Sequence, residues 1–272
     1  MPELPEVETI KRDLQKIILG AKIKKVCVYN PMVIREPSPP VFKKSLEGLV
    51  IKNILRRGKL LILELSNGSA LTIHLKMTGQ LVLRQKLSNS GKAKNSRVVF
   101  HLSGGKILDF NDQRLFGELR LVDDWGKIKF IQSLGPEPFD LTYGDFKDML
   151  FKKKTKIKPL LMEQSFIAGI GNLYASEILF RAKVDPARSA QSLSEGEKKA
   201  VYKEIKKVLS KAIKHGGSSI DDYVRLSGKK GDYVKFHRVY GRQDQPCFVC
   251  NSKIKKITQG GRGTYFCPKC QM

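Results

Sequence analysis

The sequence predicts a two-domain α+β protein: an N-terminal β-sandwich entered through a helix, then a helical domain closed by a small zinc ribbon. Three observations carry this prediction. Eight short strand-like runs separated by Gly, Asn and Ser turns fill the region before Trp125. Beyond Gly135-Pro136-Glu137-Pro138 the apolar spacing becomes helical. Near the C-terminus the cysteines read Cys247-x2-Cys250-x16-Cys267-x2-Cys270. A chain of 272 residues suits two modest domains with an appendage. The expected boundaries are 1–132 for the sandwich, 133–142 for a linker, 143–241 for the helical domain and 242–272 for the ribbon.

The elements follow in order. Leu4, Val7, Ile10, Leu14, Ile17 and Ile18 keep helical spacing, and Gly20 ends the helix. Strands are expected at Ile23–Tyr29, Leu49–Arg56, Leu60–Leu65, Ala70–Leu75, Gln80–Leu83, Arg97–Leu102, Ile107–Phe110 and Glu118–Val122. Ser66-Asn67-Gly68 and Ser103-Gly104-Gly105 are turn signals between them. Helices are expected at Tyr143–Lys153, Pro159–Glu163, Asn172–Ala182 and Glu195–His215. The last places Val201, Ile205, Val208, Leu209, Ala212 and Ile213 on one face with lysines opposite. Residues 218–241 are polar and glycine-punctuated, a functional loop or merely a connection, with the length favouring function.

Fifty-one Lys and Arg face 26 Asp and Glu, a net charge of +25. The commonest partner for such an excess is a polyphosphate backbone; a highly solvated surface or anionic lipid are the alternatives. The run Lys152, Lys153, Lys154, Lys156, Lys158 sharpens the first reading. No apolar run approaches a membrane span and no charged-then-apolar leader precedes the first helix, so a cytoplasmic protein is expected. The paired cysteines place four thiolates at two knuckles, a tetrahedral site for one structural Zn²⁺ with no position left for catalysis; two disulfides are the alternative, disfavoured in a cytosolic chain. Cys27, alone in a strand, reads as a small buried hydrophobe.

Several short motifs carry chemistry. Removal of Met1 would leave Pro2 as a free secondary amine beside Glu3. An α-amine titrates near 8 against about 10.4 for lysine, so it offers roughly a hundredfold more free base at neutral pH. Such an amine can form an iminium with a carbonyl carbon; an ordinary frayed terminus is the alternative for Pro-Glu alone. Arg56-Arg57-Gly58-Lys59 reads as a phosphate-binding edge or a charged hairpin. In His74-Leu75-Lys76-Met77-Thr78-Gly79, Met77 is a wedge between base pairs or core filler. Arg114 and Phe116 would share a face and fill the gap left by an extruded base, or be a surface cation and a core ring. Glycines before Asn172 suit an anion at a helix start or a tight turn, and Arg262 between glycines suits phosphate or a plain ribbon turn.

Taken in order, these motifs resemble bacterial formamidopyrimidine-DNA glycosylases. The resemblance rests on Met-Pro-Glu-Leu-Pro-Glu-Val-Glu-Thr at the start, Arg57-Gly58-Lys59, His74-Leu75 with Met77 and Gly79, Gly-Pro-Glu-Pro at 135–138 and Ile-Gly-Asn-Leu-Tyr-Ala-Ser-Glu at 170–177. It extends through Gly-Gly-Ser-Ser at 216–219, Val-Tyr-Gly at 239–241 and the four-Cys finger around Gly-Arg-Gly-Thr. It implies a β-sandwich with flanking helices, a helix–two-turn–helix domain and a zinc ribbon. It implies a monomeric enzyme of base-excision repair that excises oxidised purines from duplex DNA and nicks the abasic strand, in the cytoplasm at the nucleoid. Carried over by position, Pro2 is the nucleophile at C1′ and Glu3 the general acid. Lys59 is the proton donor for β-elimination, and Arg262 grips phosphate for δ-elimination. Met77, Arg114 and Phe116 fill the void; His74, Arg97, Lys152, Lys158 and Asn172 contact DNA; Lys229 lies in the loop over the flipped base.

Some positions depart from the family. Its usual Asp-Pro-Arg-Arg-Phe-Gly is Asp112-Gln113-Arg114-Leu115-Phe116-Gly117 here, Arg97 stands where many members have His, and Tyr233-Val234-Lys235 replaces Phe-x-Gln. An endonuclease VIII-like glycosylase for oxidised pyrimidines is the related alternative, against which Leu4 stands in place of its typical Gly. A zinc-ribbon DNA-binding protein without catalysis is the other, opposed by the presence of Pro2, Glu3 and Lys59.

Overall fold

The computed structural model describes residues 1–84, 94–151, 153–220 and 222–272. They form two compact units, one of residues 1–132 with 215–232, the other of residues 133–214 with 233–272.

The first unit opens with α1 (Leu4–Ile18), started by a reciprocal cap in which Glu3 and Glu6 each accept the other's backbone N–H. Its stripe Val7, Ile10, Leu14 and Ile18 is fully buried, and Gly20 takes the left-handed conformation that ends it (φ 77°). Then come β1 (Ile23–Val28), β2 (Ile34–Glu36), α2 (Pro39–Leu46), β3 (Ile51–Arg57), β4 (Leu60–Leu65), β5 (Ala70–His74), β6 (Gly79–Arg84), β7 (Ser96–Leu102), β8 (Ile107–Asp112), β9 (Glu118–Val122) and α3 (Lys129–Gln132). They make the expected sandwich, with a four-stranded sheet β1-β7-β8-β6 and a five-stranded sheet β2-β9-β5-β4-β3. One apolar core takes residues from both sheets, among them Leu61, Leu63, Leu71 and Ile73 from one and Val98, Phe100, Leu108 and Phe110 from the other. Cys27 is half-buried rather than buried, its sulfur 3.7 Å from His101 Nε2 on the neighbouring strand.

Three of these elements were not expected from the sequence: α2, β2 and the four-residue α3. In α2 the prolines 39 and 40 look like breakers, yet they occupy the first turn, where no amide hydrogen is needed. β2 is three residues long and pairs in parallel with β9, too short for any periodicity to register.

The second unit holds α4 (Tyr143–Phe151), α5 (Ile157–Met162), α6 (Asn172–Ala182), α7 (Glu195–Lys214) and the hairpin β10 (Lys255–Gln259)–β11 (Arg262–Phe266). The Gly-Pro-Glu-Pro stretch read as linker is bonded into this unit: Gly135 N–H donates to Gln164 O (2.9 Å) and Ala168 N–H to Pro136 O (3.0 Å). Fully buried Glu177 of α6 accepts backbone N–H groups of Arg238, Val239 and Tyr240 at 2.9–3.0 Å, fixing the chain that leads to the hairpin. Glu177→Ala strands three main-chain donors, that of Val239 buried and those of Arg238 and Tyr240 half-buried, and is expected to destabilise by about 3 kcal/mol. A denaturant midpoint within about 1 kcal/mol of the parent would refute that role for the carboxylate.

Residues 215–232, expected with the helical domain, fold instead with the first unit. Arg225 pairs with Asp13 of α1 (2.9 Å), Leu226 is buried in the sandwich core, and Leu83 N–H donates to Leu226 O (2.8 Å). The loop closes on itself at a glycine neck. Gly216 and Gly217 have φ 71° and 78°, and a Cβ on Gly231 would lie 2.4 Å from both of their carbonyl oxygens. Tyr223 Oη donates to Gly216 O (3.0 Å), and Gly231 N–H donates to Ser219 Oγ (2.8 Å).

Candidate functional site

In the first unit, the start of α1 is a buried corner. Pro2 and Glu3 are both buried. Glu3 N–H donates to Glu6 Oε2 (2.8 Å), and Glu6 Oε1 accepts from Ser218 N–H (2.8 Å). A Cβ at Gly217 would lie 2.8 Å from Glu6 Oε1, so only glycine lets the loop neck reach this carboxylate. Glu6 therefore joins the N-terminal residues to the base of the 218–231 loop. Sequence reasoning did not single it out, although the Glu-x-x-Glu spacing at 3 and 6 is a capping-box signal.

The β3–β4 hairpin turns on Gly58 and Lys59, with Arg57 opposite Leu60 and Gly58 at φ 56°. Lys59 is only 5 % exposed. The preceding Arg56 donates to Gly58 O (2.9 Å) and to Glu8 of α1 (3.0 Å), which holds the hairpin against the first turns of α1. Burial pushes the Glu8 carboxyl up, but bonds from Arg12, Lys11 and Arg56 outweigh it and hold it below its ordinary range.

His74, opposite Leu60, is buried and pushed down to about 3, first by burial and then by the charges of Lys76 and Lys59. Its Nδ1 accepts Lys76 N–H (3.0 Å), which leaves the proton on Nε2 and makes the ring a neutral donor. The unfolded chain takes up a proton below the ordinary value of 6.5 while the folded ring does not. Stability is therefore full above pH 7 and falls as pH drops from 6.5 toward 3, by about 2 kcal/mol at pH 5 from this group. Denaturation of His74→Gln at pH 5 and pH 7.5 checks this: the pH dependence of the variant flattens by that amount. An unchanged slope would show that the ring titrates normally.

Met77, Arg97, Arg114 and Phe116 are brought together around Asp112. Its carboxylate accepts the Thr78 hydroxyl, Arg114 N–H (3.2 Å) and Gly117 N–H (2.6 Å), while its carbonyl accepts Arg97 Nε (2.6 Å). The Met77 turn and the Arg114–Phe116 turn are thus tied at one point where β6 meets β8. Met77 is 42 % exposed and Phe116 47 %, with the Arg114 guanidinium 4.7 Å from the Phe116 ring centre. Exposed apolar side chains on turns this constrained are not core filler. Lys229 is exposed in the 218–231 loop, its carbonyl accepting Arg225 N–H (2.8 Å).

In the second unit Lys158 is buried, its Nζ donating to Asn172 Oδ1 (2.6 Å) and Thr264 Oγ1 (2.8 Å). Asn172, first residue of α6, donates to Gly263 O (3.0 Å). This network binds α5, α6 and the hairpin at one place. The hairpin turns on Gly260 and Gly261 (φ 54° and 71°), and Arg262 beside them is exposed. Lys152 lies outside the described residues.

The four cysteine sulfurs lie within 4.8 Å of one another, with Cys247–Cys270 at 3.9 Å and Cys250–Cys267 at 3.4 Å. A tetrahedral Zn²⁺ with 2.3 Å bonds sets sulfurs about 3.8 Å apart, so the residues fit the ion. They form the one His/Cys/Asp/Glu cluster with ligand geometry among the described residues.

Comparison with known proteins agrees with this arrangement. Residues 1–119 match the formamidopyrimidine-DNA glycosylase N-terminal domain, 134–224 the formamidopyrimidine-DNA glycosylase H2TH domain, and 244–271 the zinc finger found in FPG and IleRS. Formamidopyrimidine-DNA glycosylase of Pelotomaculum thermopropionicum is 42% identical over 100% of this chain and 99% of its own. That of Listeria monocytogenes is 40% identical, with both chains covered in full. Among solved structures, a Lactococcus lactis FPG variant in complex with Fapy-dG-containing DNA aligns with TM-score 0.92 at 36% identity, over 99% of both chains. MutM (FPG) of Thermus thermophilus aligns with TM-score 0.88 at 37% identity, over 99% of this chain and 98% of the other. The ribbon is a zinc finger with the ligand set for one structural zinc. By domain content and full-length identity, the chain belongs to the formamidopyrimidine-DNA glycosylase family.

Proposed function

We propose that this protein is a bifunctional DNA glycosylase and abasic-site lyase that removes oxidised purines, 8-oxoguanine and formamidopyrimidines, from duplex DNA. The observation that carries the reading is the buried, capped Pro2-Glu3 corner, held by Glu6 to the loop neck. Its setting supports it: solved relatives from Lactococcus lactis hold Fapy-dG-containing and abasic-site DNA.

The chemistry follows from the residues. With Met1 removed, the Pro2 amine attacks C1′ as the bond to the damaged base breaks, and Glu3 protonates the ring oxygen so that the sugar opens. The resulting iminium acidifies C2′; loss of that proton expels the 3′ phosphate, and a second elimination expels the 5′ phosphate. Lys59 donates the proton for β-elimination beside the lesion phosphate, and Arg262 holds the phosphate for the second step. The target nucleotide must leave the stack at a cost of a few kcal/mol. Met77, Arg114 and Phe116 offset that cost by filling the gap. His74 as a neutral donor, with Arg97, Lys152, Lys158 and Asn172, grips the backbone, and Lys229 rides on the loop over the extruded base. The enzyme works as a monomer on cytoplasmic DNA.

Borohydride trapping on duplex DNA with 8-oxoguanine opposite cytosine tests this. The expected product is a covalent adduct mapping to Pro2 by mass spectrometry. No adduct from protein with a mature N-terminus and tight duplex binding would overturn the reading.

A further inference from the structure

A second cationic surface lies in the second unit, at the end of α6 away from Asn172. Eleven residues of helix separate the two ends, about 15 Å. A groove of about 860 Å³ opens there between α6, α7 and the two zinc knuckles. Arg181, Lys183, Lys207, Lys211, Arg238 and Lys269 line it, against the side-chain carboxylate of Glu204 and the C-terminal residue Met272. Glu204 pairs with Lys207 (3.2 Å), and Cys270 is the one zinc-ligand cysteine that lines the groove. One cation suits the end of a helix dipole; six exceed that role.

These cations crowd one another. Burial and then the charges of Arg181 and Arg238 push Lys211 below its ordinary range. Arg181 Nε is buried without a hydrogen-bond partner. Lys207 and Lys211 come from the α7 face that the sequence marked as lysine-rich, brought together by their four-residue spacing. The groove also carries apolar surface. Phe180 and Val208 form its floor, while Phe248 is 60 % exposed and Val249 70 %. The Phe248 ring packs under Arg242 (3.5 Å), so its position is held rather than loose.

We infer that this groove docks an acidic peptide segment of a partner protein, one that carries an apolar side chain among its carboxylates. Charge complementarity selects the sign, since like charges held together without counterions are stabilised by an incoming anion. The apolar floor selects peptide over duplex DNA. A duplex presents rigid phosphates outward and would leave Phe248 and Val249 uncovered, whereas a peptide side chain buries against them. The inference does not depend on the lesion chemistry of the other residues.

The probe is a fluorescein-labelled peptide Glu-Asp-Phe-Asp-Glu-Leu-Asp-Glu, read by fluorescence anisotropy against the zinc-loaded full chain. Saturable binding is expected that weakens with salt. It should fall at least about tenfold for Lys207→Glu with Lys211→Glu, and likewise for the peptide with Ser in place of Phe and Leu. Phe248→Ser, which spares the zinc ligands, should lower affinity without reversing charge. Nicking of lesion duplex by these variants stays at parent level and reports that they are folded. Absence of binding, equal binding by the charge-reversed variant, or equal binding of the Ser peptide would overturn the inference. So would displacement of the peptide by a single-stranded octanucleotide that itself binds more tightly to the parent than to the variants, which would make the groove a nucleic-acid site.

Discussion

Retention of Met1, or any N-terminal extension, is expected to leave lesion-duplex binding within a few fold while lowering strand cleavage by about 10³-fold or more, the scale on which loss of a nucleophile acts. With Met1 attached, the Pro2 nitrogen is a tertiary amide without a basic lone pair. The rest of the site is untouched by the extension, because the bonds of Glu3 and Glu6 run inward to α1 and the loop neck. Binding and cutting should therefore separate. Pro2→Gly, which keeps a terminal amine, should retain part of the cleavage. Gel-resolved nicking beside filter binding on one duplex measures both. Efficient cutting by a protein whose first residue is verified as Met1 would remove Pro2 from the mechanism.

The second large effect concerns the ribbon. Cys267→Ser, or chelation, is expected to cost the bound zinc and the fold of β10–β11, and to lower duplex affinity by about a hundredfold or more. A structural zinc contributes about 10–16 kcal/mol in isolated fingers, as much as the whole stability of an ordinary domain. The ribbon's own apolar core is small, being Phe180, Val239, Cys247, Ile254 and Cys267, two of them ligands. Loss reaches beyond Arg262, since Thr264 and Gly263 are partners of Lys158 and Asn172. Zinc content, far-UV circular dichroism and duplex titration should change together. A zinc-free protein that bound duplex normally would show the hairpin to be dispensable.

Much of the fold was legible. The runs Leu60–Leu65, Glu118–Val122 and Asn172–Ala182 are β4, β9 and α6 to the residue, because alternation and helical spacing are strong where one face is buried. What escaped was short or disguised, as with β2 and the proline-led α2. The polar look of 218–241 hid Tyr223 and Leu226, which are buried in the sandwich core. Charged and cysteine residues of the site stand out in the sequence by type and spacing. Thr264, Glu177 and the tie of Glu6 to the loop do not, because their partners are set by folding: Glu6 meets Ser218 across 212 residues and Thr264 meets Lys158 across 106. No local pattern encodes such pairs.

The glycine neck of the 218–231 loop has an evolutionary reading. Its closure depends on main-chain atoms of Gly216, Gly217 and Gly231, on the Glu6 carboxylate and on the Ser219 and Tyr223 side chains, not on Lys229 or Lys230 at the tip. Tip side chains such as Lys229 and Lys230 can then be exchanged without moving the stem. If the loop covers the extruded base, a preference for one damaged base over another is set by a few exchangeable tip residues on a fixed mount. New specificities in such a protein would arise by changing those residues and leaving the catalytic corner alone.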